Sequence, residues 1–180
     1  IIQDYWYLMD YTKVFAVGVA KSKSVGVMKL FSKYIQAILD GEVNVHNGYM
    51  ADFGITQEEL DHTPIAQDNR SYTSYMLSVA YRGGEAEVLT AIFSCAYSYE
   101  VIARQIVAER PDAPDHPLYG RWVRGYITER YTGNNVILKN MLEQLTADYT
   151  EAQLRELEEI FTACSRYEAS FWDMAWEQRV

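Results

Sequence analysis

Apolar residues recur at alternating steps of three and four along most of the chain, the spacing that lines one face of an α-helix. That spacing predicts a first helix from the start to about Ala20 and a second from about Ser24 to Phe53. Further helices are predicted at about 68–82, 85–109, 116–131, 133–147 and 150–177. Gly83-Gly84, the linker holding Pro111, Pro114 and Pro117, and Gly133 read as the separators. Thr56 with Glu59, and Thr150 with Gln153, have the spacing of capping boxes. Strand alternation is nearly absent, and Asn47-Gly48 falls inside a helical pattern rather than a hairpin. With no repeat, low-complexity tract or internal boundary, the expectation is one all-α bundle over residues 1–180. Ile1 opens directly into an amphipathic pattern, without methionine or cap, so earlier residues are expected to be missing from this chain.

Polar side chains on the apolar seams are the informative positions. In the last helix, Leu154, Leu157, Phe161, Cys164, Glu168, Phe171 and Ala175 share a face, with Glu168 in its middle. Ile1, Asp4, Leu8, Tyr11 and Phe15 repeat the pattern in the first helix, where Asp4 intrudes. Val88, Ile92, Cys95, Tyr99, Ile102 and Ile106 form a third stripe, centred on Cys95. A buried carboxylate is costly unless paired, hydrogen-bonded or protonated. Either could simply accept a hydrogen bond between helices, and Cys95 could be a small hydrophobe. Together, two inward carboxylates and a thiol could build a polar pocket inside a bundle.

Composition narrows the partners. Twenty-five acidic against sixteen basic side chains give a net charge of −9, so no basic face is evident for nucleic acid or an anionic membrane. Val14 to Ala20, the longest uncharged stretch near the start, is far too short to cross a bilayer. Cys95 and Cys164 form no disulfide framework and suit free thiols in a reducing cytoplasm. Fifteen tyrosines outnumber the six phenylalanines and four tryptophans together, and buried tyrosines need partners for their hydroxyls. Glu42 and His46, four apart, could share a metal, but the sequence does not contain the two Glu-x-x-His units of a bundle di-metal site. A cysteine–histidine dyad could draw on His46, His62 or His116, and nothing in the spacing chooses among them.

At these same residues the chain resembles the TenA family, from Ile2 to Trp176. The stretches that carry the resemblance are IIQDYWYL, SYTSYM, AIFSCAYSYE, HPLYGRWVRGYITERY and YEASFWDMAW, in that order. The resemblance implies a haem-oxygenase-like all-α fold and thiaminase II or aminopyrimidine aminohydrolase activity. It implies a substrate-binding aspartate at Asp4, an active-site aromatic at Tyr7, tyrosines at Tyr72, Tyr99 and Tyr126, the nucleophile at Cys95, the catalytic glutamate at Glu168 and a ring-stacking Phe171. Ser94 stands where the family usually has proline before the cysteine. Val101, preceded by Glu100, replaces a common glutamate, and Thr128 replaces a serine. A further N-terminal segment, usual in the family, is missing here.

The chemistry so implied is the salvage of thiamin breakdown products, converting 4-amino-5-aminomethyl-2-methylpyrimidine, or thiamin, to the hydroxymethylpyrimidine. Addition of the Cys95 thiolate to the ring breaks aromaticity and lets the ring electrons expel the leaving group. Glu168 would exchange a proton with a ring nitrogen, Asp4 would hold the amino edge, and Tyr7 and Phe171 would sandwich the ring. Cys95 is expected to line an open pocket while Cys164 is packed between helices. No metal or organic cofactor is required, and a cytoplasmic homotetramer is implied. The alternatives are a non-catalytic binder of an aminopyrimidine or other small ligand on the same fold, and a helical interaction protein whose seam polar groups only fix register.

Overall fold

In the computed structural model, which describes residues 1–179, the chain is helical from end to end, with no strand among the described residues. Helix α1 spans Ile2–Lys21 and α2 spans Val25–Ala37. From there the chain passes through one π-helical turn, Ile38–Glu42, directly into α3, Val43–Asp52. The short α4 (Gln57–His62) precedes α5 (Gln67–Arg82) and the long α6 (Glu85–Glu109). After a 3-10 turn at Ala113–Asp115 come α7 (Gly120–Tyr126), α8 (Glu129–Leu145) and α9 (Glu151–Glu177).

Helix α6 is the axis of the bundle. Its residues from Val88 to Cys95 are buried without interruption, and α1, α5, α7, α8 and α9 pack around it. By length and composition alone α6 could cross a membrane, but 61% of its most apolar window is already covered by neighbouring helices. That makes it a core helix. Gly18 lets α1 approach α2 and α6 closely, because a Cβ there would lie 2.8 Å from the Phe31 ring and 3.0 Å from Val88 Cγ1.

Local signals fix the boundaries. Glu87 accepts the backbone N–H of Gly84 at 2.7 Å, which starts α6 one residue after the diglycine break. Lys21 donates from the end of α1 to the last carbonyls of α5, Ala80 at 3.1 Å and Tyr81 at 2.7 Å, where a cation suits the helix dipole. The capping boxes at Thr56 and Thr150 both form.

Two expectations are corrected. Helices at 116–131 and 133–147 give way to a short α7 and a longer α8, with the break at Ile127–Thr128 and Gly133 inside α8. The reason is Thr128, whose hydroxyl accepts the N–H of Tyr131 at 3.2 Å and caps α8 five residues before the glycine. At the end of the α9 stripe, Met174 is buried and Ala175 is exposed, because the apolar stripe shifts by one residue over its last turn.

Candidate active site

Four helices bring most of the singled-out residues together. Helix α1 supplies Asp4 and Tyr7, α5 supplies Tyr72, α6 supplies Cys95 and Tyr99, and α9 supplies Glu168 and Phe171. Tyr126, at the end of α7, joins them through its ring, 4.8 Å from that of Tyr99. Tyr7 is the hub of the other side, with its ring centroid 5.2 Å from Tyr72 and 5.9 Å from Phe171. Asp4, Cys95, Tyr99, Glu168 and Phe171 follow from their seam positions, since steps of three and four residues aim them at the common axis.

Glu168 is buried, and desolvation pushes its carboxyl up to about 7, with the charge of Asp4 adding to the rise. The hydroxyls of Tyr99 and Tyr72 and the Cys95 thiol lie near enough to oppose that rise. Even so, Glu168 Oε2 and the Tyr72 hydroxyl are buried without a hydrogen-bond partner among the described residues. Two orphaned polar groups in one core are costly, and a polar ligand would satisfy both.

Cys95 is only 9% exposed, so it does not line an open pocket as expected. Surface concavities beside Met50 and Leu60, and beside Tyr167 and Arg179, do not include it. Burial raises its thiol well above the ordinary range, the Glu168 charge raises it further, and the Tyr7 hydroxyl opposes both. The group is therefore a neutral thiol in the resting protein. Cys164 is fully buried, with its thiol pushed up to about 12 by burial.

Tyr7 and Phe171 do not form a sandwich in this arrangement. Their planes are inclined by 60° and the rings touch each other, so they make one aromatic wall, and a ring between them requires them to part. Beyond them, Tyr99, Trp122, Tyr126 and Trp172 form a second aromatic cluster with centroids 4.8 to 6.1 Å apart. The tryptophans of that cluster were not singled out by the seam argument, although Trp172 directly follows Phe171.

The histidines divide. His46 Nε2 lies 2.6 Å from Asp4 Oδ2, a pairing across 42 residues that nothing in the sequence signals. His62 bonds through Nδ1 to the Glu58 carbonyl, and His116 accepts from the backbone of Leu118 and Tyr119. None of the three forms a dyad with Cys95 among the described residues. Nor do three potential metal ligands cluster anywhere among them. Glu42 is exposed, so water offsets most of the desolvation that, with the charge of Asp4, raises its carboxyl, and His46 opposes the rise.

Two positions noted in the sequence, Thr128 and Glu100, have structural uses. Thr128 caps α8, and Glu100 accepts from Arg104 and Asn135, each at 2.8 Å. Val101 is an exposed residue on α6.

Comparison with known proteins supplies the remaining observations. A family model described as the TENA/THI-4/PQQC family matches residues 1–178. The chain is 42% identical, over 98% of its length and 81% of the relative's, to a Helicobacter pylori protein named aminopyrimidine aminohydrolase. It is 37% identical, over 99% of its length and 79% of the relative's, to a Halalkalibacterium halodurans protein of the same name. A crystal structure described as a TenA family transcription regulator, from a Silicibacter species, superposes with a TM-score of 0.86 at 26% identity. That match covers 96% of this chain and 78% of the other.

Proposed function

From the premise that the chain belongs to the TENA/THI-4/PQQC family, we propose that it is an aminopyrimidine aminohydrolase of thiamin salvage acting through Cys95. The observation that carries the reading is the joint burial, on different helices, of a thiol, a carboxyl poised near neutrality and an unpartnered tyrosine hydroxyl.

The substrate is an aminopyrimidine with a CH2–NH3⁺ arm. Asp4 accepts from the ring amino group, and Tyr72 and Glu168 gain the partners they lack in the resting protein. As Cys95 Sγ bonds to the ring carbon beside the arm-bearing one, its proton passes to the Glu168 carboxylate, and Glu168 delivers a proton to the ring nitrogen. The lone pair of that nitrogen then expels ammonia, leaving an exocyclic methylene, and Glu168 takes the ring proton back. Water adds to the methylene and gives up its proton to the departed ammonia, while Glu168 protonates the ring nitrogen again. The C–S bond then breaks as aromaticity returns, and the ring proton passes back through Glu168 to the Cys95 sulfur. The net change is water in and ammonium out. A carboxyl near 7 suits this two-way traffic, because neither protonation state is costly to reach at neutral pH.

Incubation with aminomethylpyrimidine and, separately, with thiamin tests the reading. Hydroxymethylpyrimidine and stoichiometric ammonia are expected from the first. Tight binding of the pyrimidine without release of product would instead support a non-catalytic binding protein. A homotetramer in the cytoplasm completes the reading, in keeping with two free buried thiols, and light scattering tests the assembly.

A further inference from the structure

His46 has a role that the reaction scheme does not assign. It lies on α3, is 8% exposed, and bonds at both ring nitrogens. Nδ1 is 2.9 Å from the backbone carbonyl of Glu42, the last residue of the π turn. A carbonyl only accepts, so Nδ1 carries a hydrogen. Nε2 is 2.6 Å from Asp4 Oδ2, and an ionised carboxylate also only accepts, so Nε2 carries the second hydrogen. The ring is then an imidazolium paired with the Asp4 carboxylate. Its charged neighbours are Asp4 on α1 and Glu42 in the π turn, both of which favour the cation.

The geometry has a consequence for Asp4. With Oδ2 held by His46, the carboxylate cannot rotate freely, and its other oxygen, Oδ1, has no hydrogen-bond partner among the described residues. The π turn contributes as well. It lets one continuous helix, α2 through α3, present the Glu42 carbonyl to a side chain four residues later while α3 packs on α1. We propose that His46 is the positioning residue of this site, holding Asp4 turned so that Oδ1 accepts the ring amino group of the aminopyrimidine. This rests on the reading of Asp4 as the group that binds the amino edge. A freely rotating Asp4 would offer the right oxygen only part of the time.

The test is a double-mutant cycle on the full chain, with KM and kcat for aminomethylpyrimidine measured separately, together with nitrogen-15 NMR of the His46 ring. At neutral pH both His46 nitrogens are expected to show the protonated pattern, and Asp4→Asn is expected to return the ring to a neutral tautomer. His46→Phe is expected to raise KM at least tenfold with kcat changed less than threefold, because the hydrogen bond to the ring persists from ground state to transition state. His46→Gln, which keeps an N–H donor, should recover part of the loss. In the Asp4→Asn background, His46→Phe should add less than a twofold further change in KM. A neutral His46 in the wild-type protein overturns the inference, as does an equal His46→Phe effect in both backgrounds. If Asp4→Asn itself leaves KM unchanged, the reading of Asp4 falls and the inference falls with it. If Asp4→Asn raises KM but His46→Phe does not, the inference alone falls. Should His46→Phe fail to fold, His46→Gln and the NMR measurement decide.

Discussion

The hydroxyls of Ser94 and Ser165 lie 3.0 Å apart, and both reach the carbonyl of Phe161, at 3.2 and 2.9 Å. Ser94 directly precedes Cys95 on α6, and Ser165 lies one turn before Glu168 on α9. This part-buried tie, in which Ser94 is the buried member, therefore joins the two helices beside the two groups the proposed reaction uses. Where the resembled family has proline, serine keeps its backbone N–H, and α6 runs through the position as regular helix.

Ser94→Ala is expected to lower stability by about 1 kcal/mol, the net worth of one hydrogen bond, because Ser165 keeps its own bond to Phe161. In a domain of this size that is a fall in Tm of roughly 2–4 °C. Turnover should stay within about twofold, since α6 and α9 keep their apolar contacts. A large loss of kcat at nearly unchanged Tm would show that the tie sets the reacting geometry itself.

Tyr72→Phe should separate stability from function in the opposite sense. The Tyr72 hydroxyl is buried without a partner, so the free protein gains nothing from it and bears a desolvation cost of about 1–3 kcal/mol. The variant is expected to melt at the same temperature or higher, while binding the pyrimidine several-fold more weakly. Calorimetry and titration on one preparation check both halves. A clear drop in Tm would mean the hydroxyl already has a structural partner.

The two thiols should differ in reactivity. Both are buried and held neutral, so alkylation at neutral pH is expected to be slow compared with an exposed cysteine. Cys95, at 9% exposure, should still react before Cys164, at 0%, and bound hydroxymethylpyrimidine should protect it. Peptide mapping that found Cys164 labelled first would contradict the placement of Cys95 in the site. Cys95→Ser is expected to fold and to bind the same ligand, while losing turnover by orders of magnitude.

What was legible in the sequence depended on distance along the chain. The bounds of α6 and α9 were readable because their caps are local: Gly84 with Glu87, and Thr150 with Gln153, act within one turn. Cys95 and Glu168 were readable as intruders because helical spacing is also local. Thr128 misled the reading because a lone cap gives less signal than a glycine, and Gly133 is tolerated inside α8 at modest cost. The π turn at Ile38–Glu42 has no periodic signature. Nor could spacing alone couple Asp4 to His46, which only the packing of α3 on α1 brings together. Likewise, the resemblance placed Tyr7 beside Phe171 in one site without fixing the angle between their rings.

Glu168 gives the sharpest test, because its structural and chemical roles predict opposite pH behaviour in Glu168→Gln. Its carboxyl rises from 4.5 to about 7 on folding, chiefly through desolvation. Below the unfolded value both states are protonated, and the group contributes no penalty. As pH rises above the unfolded value, the folded protein holds a proton that the unfolded chain has released, and above the folded value it ionises in the core and the penalty stops growing. Wild-type stability from this group therefore falls by about 3 kcal/mol between acid and mildly alkaline pH, at about 1.4 kcal/mol per pKa unit. Glutamine removes the titration but keeps the size, so the stability of the variant relative to wild type should improve from pH 4.5 to about 7 and then level off. Turnover should move the other way, falling by orders of magnitude at every pH, because the amide cannot carry a proton to and from the ring nitrogen. In the wild-type enzyme the rate should decline below about pH 7, where Glu168 is protonated and cannot accept the Cys95 proton, and that limb should vanish from the residual activity of Glu168→Gln. Melting temperature and rate, measured together across the range, decide the matter. A variant that loses stability while keeping its rate would leave Glu168 a helix-pairing carboxyl and remove it from the chemistry.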